Sequence, residues 1–326
     1  MMQMITGFWT SCSIYTAAKL GIADLLAERP HTPQQLAART QTHAPSLRRL
    51  LRALASQGIF RENEQGEYEL TPLGGTLQTG VPGSMRAMAI AQLGDHFLPW
   101  GNLLHSIKTG NTAFDQVHGM PIWKYYETHP EEGENFMHAM AGFTQAIIMN
   151  VLPAYDFSGF KTIADIGGGN GAFLFAILNA APQARGIVFD EPYVVEKTGP
   201  RIAEQGLADR CEAIGGDFFG SIPAGADAYL LKMILHDWDD ERAVAILRNI
   251  RQAMSGNSRL LLVESVIPEG NDPFPGKFMD LNMLVNTGGR ERTAHEFENL
   301  LREAGLRLHR IVHTHSPMFS LVEAVK

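Results

Sequence analysis

The chain has 326 residues, of which 45% are hydrophobic and 19% are charged. This length accommodates two domains, and the composition is that of a globular protein with a large core. The net charge of −8 argues against nonspecific binding to nucleic acid. Only two cysteines are present, which argues against a disulfide framework and a thiolate zinc site.

The N-terminal segment MMQMITGFWTSCSIYTAAKLGIADLL contains no basic flank followed by a long apolar run. A secretory signal peptide or a membrane-spanning helix would need such a run. The sequence therefore predicts a cytoplasmic protein that has neither a signal peptide nor a membrane span.

Two helices are predicted early in the chain. Thr32 has the side chain of a helix cap, Pro33 suits the first helical position, and Gln35 completes a capping box. A second helix is predicted from about Ser46 to a stop at Gly58. Its leucines recur at the spacing of one buried helical face, at Leu47, Leu50, Leu51 and Leu54.

A β-hairpin is predicted next, because GIFRENEQGEYELTPLG contains two short alternating runs around Gln65 and Gly66. Two helices followed by a hairpin are typical of a winged-helix domain, which serves either DNA binding or dimerisation. Residues 1–105 carry 8 Lys and Arg against 7 Asp and Glu. A DNA-binding domain should show a clear basic face. We therefore favour a dimerisation domain over residues 1–105.

The pattern changes twice further along the chain. Residues 106–155 are predicted to form a helical linker, rich in methionine and aromatic side chains, that contributes to a substrate pocket. Strands and helices then alternate over residues 156–326. The predicted strands are KTIADI, GIVFD, CEAIGGD, DAYLLKM, SRLLLVESVI, LRLHRIVHT and FSLVEAVK. This alternation predicts an α/β fold, a Rossmann-like doubly wound sheet that follows an N-terminal, mainly α winged-helix-like domain.

A glycine-rich loop follows the first strand of this sheet. ADIGGGNGAF places Gly167, Gly168 and Gly169 before a helix, so the backbone and the helix N-terminus can approach a ligand. Asp190 lies about 20 residues further on, where an acidic residue holds an adenosine ribose. A nicotinamide dinucleotide and S-adenosylmethionine both contain this ribose, so the loop alone does not distinguish them.

The charges around the loop favour one of the two cofactors. Between Thr162 and Ala184 there is no Lys or Arg to accompany a pyrophosphate. Carboxylates instead occur at or near the strand ends, at Asp165, Asp190, Asp217 and Asp237. Ligands of open α/β sheets bind at this edge, and carboxylates suit the sulfonium and ammonium groups of S-adenosylmethionine. A nicotinamide cofactor is the alternative.

Seven motifs occur in order along the chain: DIGGGNG, FDEP, GGDFF, LLKMILHDWDDE, LLLVESVIP, FMDLNMLV and TGGRERTAHEFENLLREAG. Together they make the chain resemble the S-adenosylmethionine-dependent O-methyltransferases of the caffeate, hydroxyindole and bacterial polyketide or phenazine type. The resemblance covers nearly the whole chain. It implies that methyl transfer leaves S-adenosylhomocysteine and that a homodimer forms through the N-terminal domain. We further expect that no metal, nucleic acid or membrane takes part.

The resemblance also implies site residues, motif by motif. His236 of HDW is the general base, and its acidic neighbours are Glu264, Glu291 and Asp237. The implied cofactor-binding residues are Asp165, Gly167, Gly168, Gly169, Asp190, Gly216, Asp217, Phe218 and Lys232, with Thr144 on a looser alignment. The implied substrate-binding residues are Met140, Phe143, Met279, Asn282 and Met283. Glu191 of FDEP departs from the family, in which many members have an apolar residue there.

The chemistry of O-methylation explains why a histidine is needed. The hydroxyl oxygen attacks the methyl carbon from the side opposite the sulfur. A phenol, with a pKa of about 10, is mostly protonated at neutral pH, and a histidine can remove its proton as the bond forms. Glu264 or Glu291 would orient the imidazole, and the sequence leaves open which of them does so. The substrate class also stays open among phenols, hydroxyindoles, polyketides and enols.

Several alternatives remain at this point. The same fold supports C- or N-methylation and non-methylating reactions. An NAD-dependent dehydrogenase and a DNA-binding regulator that senses a small molecule are further hypotheses. A magnesium or manganese site formed by His236 and the aspartates of MILHDWDDE is another hypothesis. We favour a different interpretation, in which Asp239 and Asp240 cap and begin the next helix.

Overall fold

The structure is a computed structural model. It describes the backbone of residues 1–326 and the side chains of residues 1–145 and 147–326. The chain divides into two compact units. The first comprises Met1–Gly101 and Met120–Phe143, and the second comprises Asn102–Gly119 and Thr144–Lys326. The segment predicted as a linker thus contributes residues to both units.

Helices form most of the first half of the chain. They are α1 (Met2–Ile5), α2 (Gly7–Lys19), α3 (Ile22–Glu28), α4 (Pro33–Thr40), α5 (Ala44–Ala55), α6 (Pro72–Gly75), α7 (Arg86–Leu93), α8 (Phe97–Gly101), α9 (Leu103–Thr109), α10 (Ala113–His118), α11 (Ile122–Thr128) and α12 (Pro130–Val151). The first two strands, β1 (Phe60–Glu62) and β2 (Tyr68–Leu70), pair antiparallel as the predicted hairpin.

The winged-helix pattern of the first unit is confirmed. The Thr32 side chain accepts a hydrogen bond from the backbone N–H of Gln35, and the Gln35 side chain completes the capping box. Helix α5 begins at Ala44, two residues before the predicted start, because Pro45 lies in its first turn. Gly58 lies beyond the helix, in the turn that leads to β1, with φ of 73°. The stripe of leucines on α5 packs into the core of this unit.

The second unit contains an eight-stranded sheet. Its strands are β3 (Thr162–Ile166), β4 (Arg185–Asp190), β5 (Cys211–Gly215), β6 (Ala228–Lys232), β7 (Arg259–Ile267), β8 (Arg292–Thr293), β9 (Arg307–His313) and β10 (Phe319–Val325). Its further helices are α13 (Ala172–Ala180), α14 (Pro192–Glu204), α15 (Asp240–Ala253), α16 (Gly276–Asn286) and α17 (Ala294–Glu303), with 3₁₀ helices at Leu152–Ala154 and Leu235–Asp237.

The strand order is β5-β4-β3-β6-β7-β10-β9, and β8 pairs with β7. Strands β3 to β7 run parallel, whereas β10 runs antiparallel to both of its neighbours. The chain proceeds outward from β3 to β5 and then returns to place β6 on the other side of β3. Ligands of such sheets bind where the order reverses, beyond the carboxyl ends of the strands. The predicted fold class is confirmed, and its switch point lies between β3 and β6.

Further details of this unit differ from the sequence prediction. Helix α14 was not predicted, because Gly199 and Pro200 interrupt its apolar pattern. Helix α16 was not predicted as a helix either. Strand β6 ends at Lys232, whereas the predicted strand included Met233, which instead adopts a left-handed conformation with φ of 54°. This turn directs the chain from the strand into the 3₁₀ helix that carries His236. No helix of the described chain is long and apolar enough to cross a bilayer.

Candidate active site

The glycine loop leaves β3 and bonds to the end of β4. The backbone N–H of Gly169 donates to Oδ2 of Asp190 at 2.7 Å, and the N–H of Glu191 donates to Oδ1 at 2.7 Å. Each carboxylate oxygen of Asp190 keeps a further lone pair, because one oxygen accepts more than one hydrogen bond. The loop therefore orients Asp190, which can still accept a further hydrogen bond. That this partner is a ribose hydroxyl stays a prediction.

Close packing explains the glycines. A β-carbon at Gly168 would lie 2.9 Å from Cγ1 of Val188 and 3.0 Å from Cγ of Asp165, closer than real β-carbons pack. A β-carbon at Gly169 would meet no described atom within 4 Å, so this residue borders open space. Its φ of 57° is a second reason for glycine at this position. The loop is thus pressed against the strands on one side and open to a ligand on the other.

Asp165 lies beneath this loop and has an unusual environment. Its side chain is buried, and neither carboxylate oxygen has a hydrogen-bond partner among the described residues. Burial raises the pKa of Asp165 to about 7, although the charge of Lys232 opposes this shift. A buried carboxylate without partners, next to a glycine loop, fits a ligand that brings cationic hydrogen-bond donors. S-adenosylmethionine has such donors, so the residues present fit this cofactor.

The GGDFF segment continues the same edge of the sheet. A β-carbon at Gly216 would lie 2.6 Å from Cε2 of Phe189, so this glycine is also required by packing. Asp217 is exposed, and its Oδ1 accepts from the N–H of Phe219 at 2.8 Å. The half-buried ring of Phe218 meets Trp238 edge-on, with ring centroids 6.0 Å apart. The Phe218 ring therefore lies beside the exposed carboxylate of Asp217, and both residues are among those predicted to bind the cofactor. Their contact with the cofactor stays a prediction.

Two further predicted cofactor residues lie in the second unit. Lys232 is the last residue of β6, and burial lowers its pKa, against the opposing charges of Asp165, Glu264 and Asp237. Thr144 is buried on α12. The charge of Lys232 therefore interacts with Asp165, beneath the glycine loop, and also with Glu264 and Asp237 of the acidic cluster described next.

His236 lies in the 3₁₀ helix that follows β6. Its Nδ1 lies 2.8 Å from Oε1 of Glu291, and its Nε2 lies 3.7 Å from Oδ1 of Asp237. The side chains of His236 and Glu291 are both buried. Glu291 thus accepts from Nδ1–H and fixes the tautomer that leaves Nε2 able to accept a proton. The question that the sequence left open is answered, because the carboxylate in contact with the ring belongs to Glu291.

Glu264 has a different role in the same cluster. It lies on β7, and its Oε1 accepts from the N–H groups of Ile234 at 3.1 Å and Leu235 at 2.9 Å. It therefore holds the backbone that enters the 3₁₀ helix. The second carboxylate oxygen, Oε2, of both Glu264 and Glu291 is buried and has no partner among the described residues.

Burial and the closeness of these charged groups shift the pKa values of His236, Asp237 and Glu264. Burial lowers the pKa of His236, but the charges of Glu291 and Asp237 outweigh this effect and raise it to about 10. Burial raises the pKa of Glu264 to about 7 and that of Asp237 to about 6, against the opposing charge of His236. The cluster thus stabilises an imidazolium and favours protonation of a nearby acid, as expected where proton transfer takes place.

Residues that the sequence analysis missed hold this cluster together. The N–H of Arg290 donates to the carbonyl of His236 at 2.8 Å, and the N–H of Glu291 donates to Oδ1 of Asp280 at 2.9 Å. A β-carbon at Gly289 would overlap the carbonyl oxygen of His236. The GGRER motif was the signal for these contacts, yet only its glutamate, Glu291, was assigned a role.

The helix after His236 begins as predicted. Asp239 is the N-cap of α15, and its Oδ1 accepts from the N–H of Arg242 at 2.8 Å. Asp240 lies in the first turn and forms ion pairs with Arg290 and Arg292. Both aspartates are therefore structural.

A metal could be held at a different set of atoms from the one considered in the sequence. Among the described residues, His236, Glu264 and Glu291 offer ligand atoms that all lie within 4.8 Å of one another. The geometry of this group equally suits a hydrogen-bonded acid–base cluster. The expectation that catalysis needs no metal stays a prediction.

The predicted substrate-binding residues are divided between the two units. Met140 and Phe143 lie on α12 in the first unit. Met279, Asn282 and Met283 lie on α16 in the second unit, where Met283 is buried. Their assignment to the substrate stays a prediction.

Comparison with known proteins agrees with this arrangement. Residues 100–307 match the model of an O-methyltransferase domain, and residues 2–80 match that of an O-methyltransferase dimerisation domain. A phenazine O-methyltransferase from Lysobacter antibioticus is 49% identical over 99% of this chain and 95% of its own length. An 8-amino-8-demethylriboflavin N,N-dimethyltransferase from Streptomyces davaonensis is 40% identical over 90% of this chain and 85% of its own length.

Among solved structures, an O-methyltransferase from neocarzinostatin biosynthesis superposes with a TM-score of 0.83 and 32% identity, covering 97% of this chain and 95% of that one. It was crystallised with S-adenosylmethionine and 2-hydroxy-5-methyl naphthoic acid. The glycine loop, the acidic strand ends and the whole-length similarity point the same way: the chain belongs to the O-methyltransferase family and is an S-adenosylmethionine-dependent O-methyltransferase of the secondary-metabolite type.

Proposed function

We propose that this enzyme methylates a hydroxyl group of a small aromatic or enolic substrate and that His236 removes the hydroxyl proton. The observation that carries the proposal is the buried pair of His236 and Glu291, 2.8 Å apart, just beyond the end of β6. Strand β6 is the neighbour of β3, which leads into the glycine loop. A base and a cofactor loop on adjacent parallel strands meet at one edge of the sheet.

The residues around the loop each have a place in cofactor binding. We assign the ribose hydroxyls to Asp190, the adenine side to Asp217 and Phe218, and the cationic end to Asp165. Lys232 and Thr144 would complete the site. When bound, S-adenosylmethionine supplies an electrophilic methyl group on a positively charged sulfur.

The proton transfer follows from the hydrogen bonds of His236. Glu291 holds Nδ1–H, so Nε2 is the atom that takes the substrate proton. In the protein without ligands, the surrounding carboxylates raise the pKa of His236 to about 10. A positive charge in the same pocket opposes those carboxylates and lowers the pKa of the imidazole. The acid cluster then stabilises the imidazolium that forms as the proton arrives.

The substrate side of the proposal rests on side-chain chemistry. Methionines and an aromatic ring, which adapt to flat apolar ligands, are available at Met140, Phe143, Met279 and Met283. Asn282 can hydrogen-bond to a polar substituent. The phenazine and naphthoic acid named for two similar proteins are flat polycyclic molecules, and we extend that substrate class to this enzyme.

We also propose an assignment of the chain to functional regions. Residues 1–105 would form the dimerisation domain of a homodimer, in agreement with the dimerisation model matched at residues 2–80. Residues 106–155 would contribute to the substrate pocket, and residues 156–326 would bind the cofactor. We place the enzyme in the cytoplasm, without nucleic-acid or membrane partners.

The test is incubation with S-adenosylmethionine labelled in its methyl group and a panel of phenols, hydroxyindoles, hydroxyphenazines, hydroxynaphthoates and enolic polyketides. Each compound is paired with its methyl ether as the control that lacks the acceptor proton. Label is expected in the hydroxyl compound only, together with S-adenosylhomocysteine. Label on carbon, or no S-adenosylhomocysteine with any compound, would contradict the proposal.

A second candidate, N-methylation, has one specific observation in its favour. The Streptomyces davaonensis relative, 40% identical to this chain, is named an N,N-dimethyltransferase. Amine analogues of the same ring systems should therefore be included in the panel. An amine has no need of a base to free its lone pair before attack, so loss of His236 would reduce O-methylation more than N-methylation.

A further inference from the structure

Arg292 donates several hydrogen bonds around His236, and none of those described goes to the imidazole or to the Glu291 carboxylate. Its side chain is only 1% exposed, and it is the largest of the fully buried side chains. A buried guanidinium must have its N–H groups paired, because an unpaired charge in the interior is costly. The partners of this guanidinium therefore show what it stabilises.

The guanidinium binds both sides of the short segment that carries His236. Nη1 donates to the carbonyl of Leu235 at 3.0 Å, and Nη2 donates to the carbonyl of Trp238 at 2.9 Å. Nε and Nη2 donate to Oδ1 of Asp240 at 3.0 and 2.8 Å. Nη1 also approaches the carbonyl of Arg290 at 3.3 Å. The planar fork thus spans the segment from the residue before His236 to the start of α15.

The backbone of Arg292 is fixed independently of these contacts. Arg292 belongs to β8 and pairs with Val266 of β7, the strand that also carries Glu264. Glu291, which bonds to His236, is the preceding residue. Two consecutive residues therefore act on His236. Glu291 bonds to its imidazole, and Arg292 bonds to the backbone on both sides of it.

We propose that Arg292 is a positioning residue for methyl transfer, which holds the carbonyls on both sides of His236 so that the imidazole stays in register with Glu291. This inference rests on the proposed role of His236 as the base. The planar fork explains why arginine is needed. A lysine has one ammonium group, which cannot reach two carbonyls and a carboxylate in these directions.

We call the hydrogen bonds of Arg292 to Leu235, Trp238 and Asp240 the Arg292 clamp. Unlike the contacts of a purely structural arginine, this clamp should affect the pKa of His236. Burial lowers the pKa of His236, and the carboxylates of Glu291, Asp237 and Glu264 raise it by a larger amount. If the segment loosens, His236 moves away from Glu291, and the pKa of the imidazole falls toward its ordinary value. The rate rises with pH as the base loses its proton, so the acid limb of the kcat profile should move to lower pH.

The experiment compares Arg292→Lys with the wild-type enzyme. We expect kcat to fall about 10²-fold, since a small misplacement of a catalytic group has effects of that size. The dissociation constant of S-adenosylmethionine should change less than about twofold, because the guanidinium lies outside the glycine loop. The acid limb of the kcat profile should shift to lower pH.

Two matched variants separate positioning from stability. Arg210 also donates to two backbone carbonyls, those of Leu178 at 2.8 Å and Ala184 at 3.2 Å, but it lies away from His236. Arg210→Lys should lower the melting temperature and leave the acid limb unchanged. Asp240→Asn weakens the ion pair between Arg292 and the exposed Asp240. It should therefore shift the acid limb of the kcat profile to lower pH by a smaller amount, and this test remains available if Arg292→Lys does not fold.

The outcomes distinguish this inference from the proposed function. Wild-type turnover in His236→Ala would remove the base and the positioning role with it. An inactive His236→Ala enzyme, together with wild-type kcat and acid limb in Arg292→Lys, would overturn the positioning role alone. An unchanged acid limb in both Arg292→Lys and Asp240→Asn, with turnover lost only in proportion to unfolded protein, would also overturn it.

Discussion

The glycine loop and the His236 cluster stand at the same edge of one sheet, yet the chain builds them in different ways. The loop is made from a short contiguous stretch, and its shape depends on backbone conformations that glycine allows. The cluster is made from His236, Glu264 and Glu291, which come from three separate segments. Glu291 bonds to the imidazole, Glu264 bonds to the backbone just before His236, and side-chain atoms of all three lie within 4.8 Å of one another. The first region should therefore govern cofactor affinity, and the second should govern turnover.

The largest effect is expected from His236→Ala. Removing a general base lowers kcat by about 10²- to 10⁴-fold, whereas the cofactor loop is left intact. Turnover assays measure kcat, and calorimetry with S-adenosylmethionine measures the affinity for the cofactor. The matched control is His315→Ala, because His315 is exposed and outside the cluster. Equal loss of affinity and turnover in His236→Ala would break the comparison between the two regions.

Glu291→Gln should have the next largest effect on turnover. The amide no longer fixes the tautomer of His236, so we expect kcat to fall by about 10²-fold. The negative charge of Glu291 raises the pKa of His236, and its removal lowers that pKa. The rate rises as His236 loses its proton, so the acid limb should move to lower pH. An acid limb at the same pH as in the wild type would show that Glu291 does not set the pKa of the base.

Gly168→Ala tests the other region. The new β-carbon would press on Val188 and Asp165, so the loop must shift before the cofactor can bind. We expect the dissociation constant of S-adenosylmethionine to rise about tenfold and kcat at saturating cofactor to change little. Gly199→Ala is the control, because its β-carbon would point into open space on α14. A fall in kcat without weaker binding would contradict this assignment.

The smallest effect is expected from Glu264→Gln. The glutamine oxygen can still accept from Ile234 and Leu235, so kcat should fall less than about tenfold. Burial raises the folded-state pKa of Glu264 from 4.5 to about 7. Such an acid costs stability as the pH rises through this range, and glutamine removes that cost. Melting temperatures should therefore rise relative to wild type between pH 4.5 and 7, and a constant difference would contradict this account.

The sequence predicted those parts of the fold whose signals are local. The capping boxes that begin α4 and α17, the hairpin of β1 and β2, and the alternation of strands and helices all follow from residues close together in the chain. Helix α14 escaped prediction because Gly199 and Pro200 interrupt its pattern, while tertiary packing maintains the helix. The turn at Met233 escaped for a related reason, since a left-handed methionine has no sequence signature.

The candidate site shows the same division. The glycine loop and Asp190 could be assigned from a spacing, because a strand, a tight turn and a helix fix their geometry locally. The histidine and its acids were found by resemblance, but which glutamate contacts the ring depended on the approach of the segment around Gly289 to the 3₁₀ helix. Arg292 was missed because nothing in a motif shows that a cation will be buried against distant carbonyls.

By itself, the sequence determined the class of protein, the cofactor and the residues that can act as acids and bases. Backbone conformation and side-chain chemistry are local properties, so they can be inferred from the chain alone. The tertiary structure decided which of these residues meet: Glu291 with His236, Glu264 with the backbone, and Arg292 with the carbonyls on both sides of His236. Such pairings depend on how strands β6, β7 and β8 align, which is a property of the whole sheet rather than of any one motif.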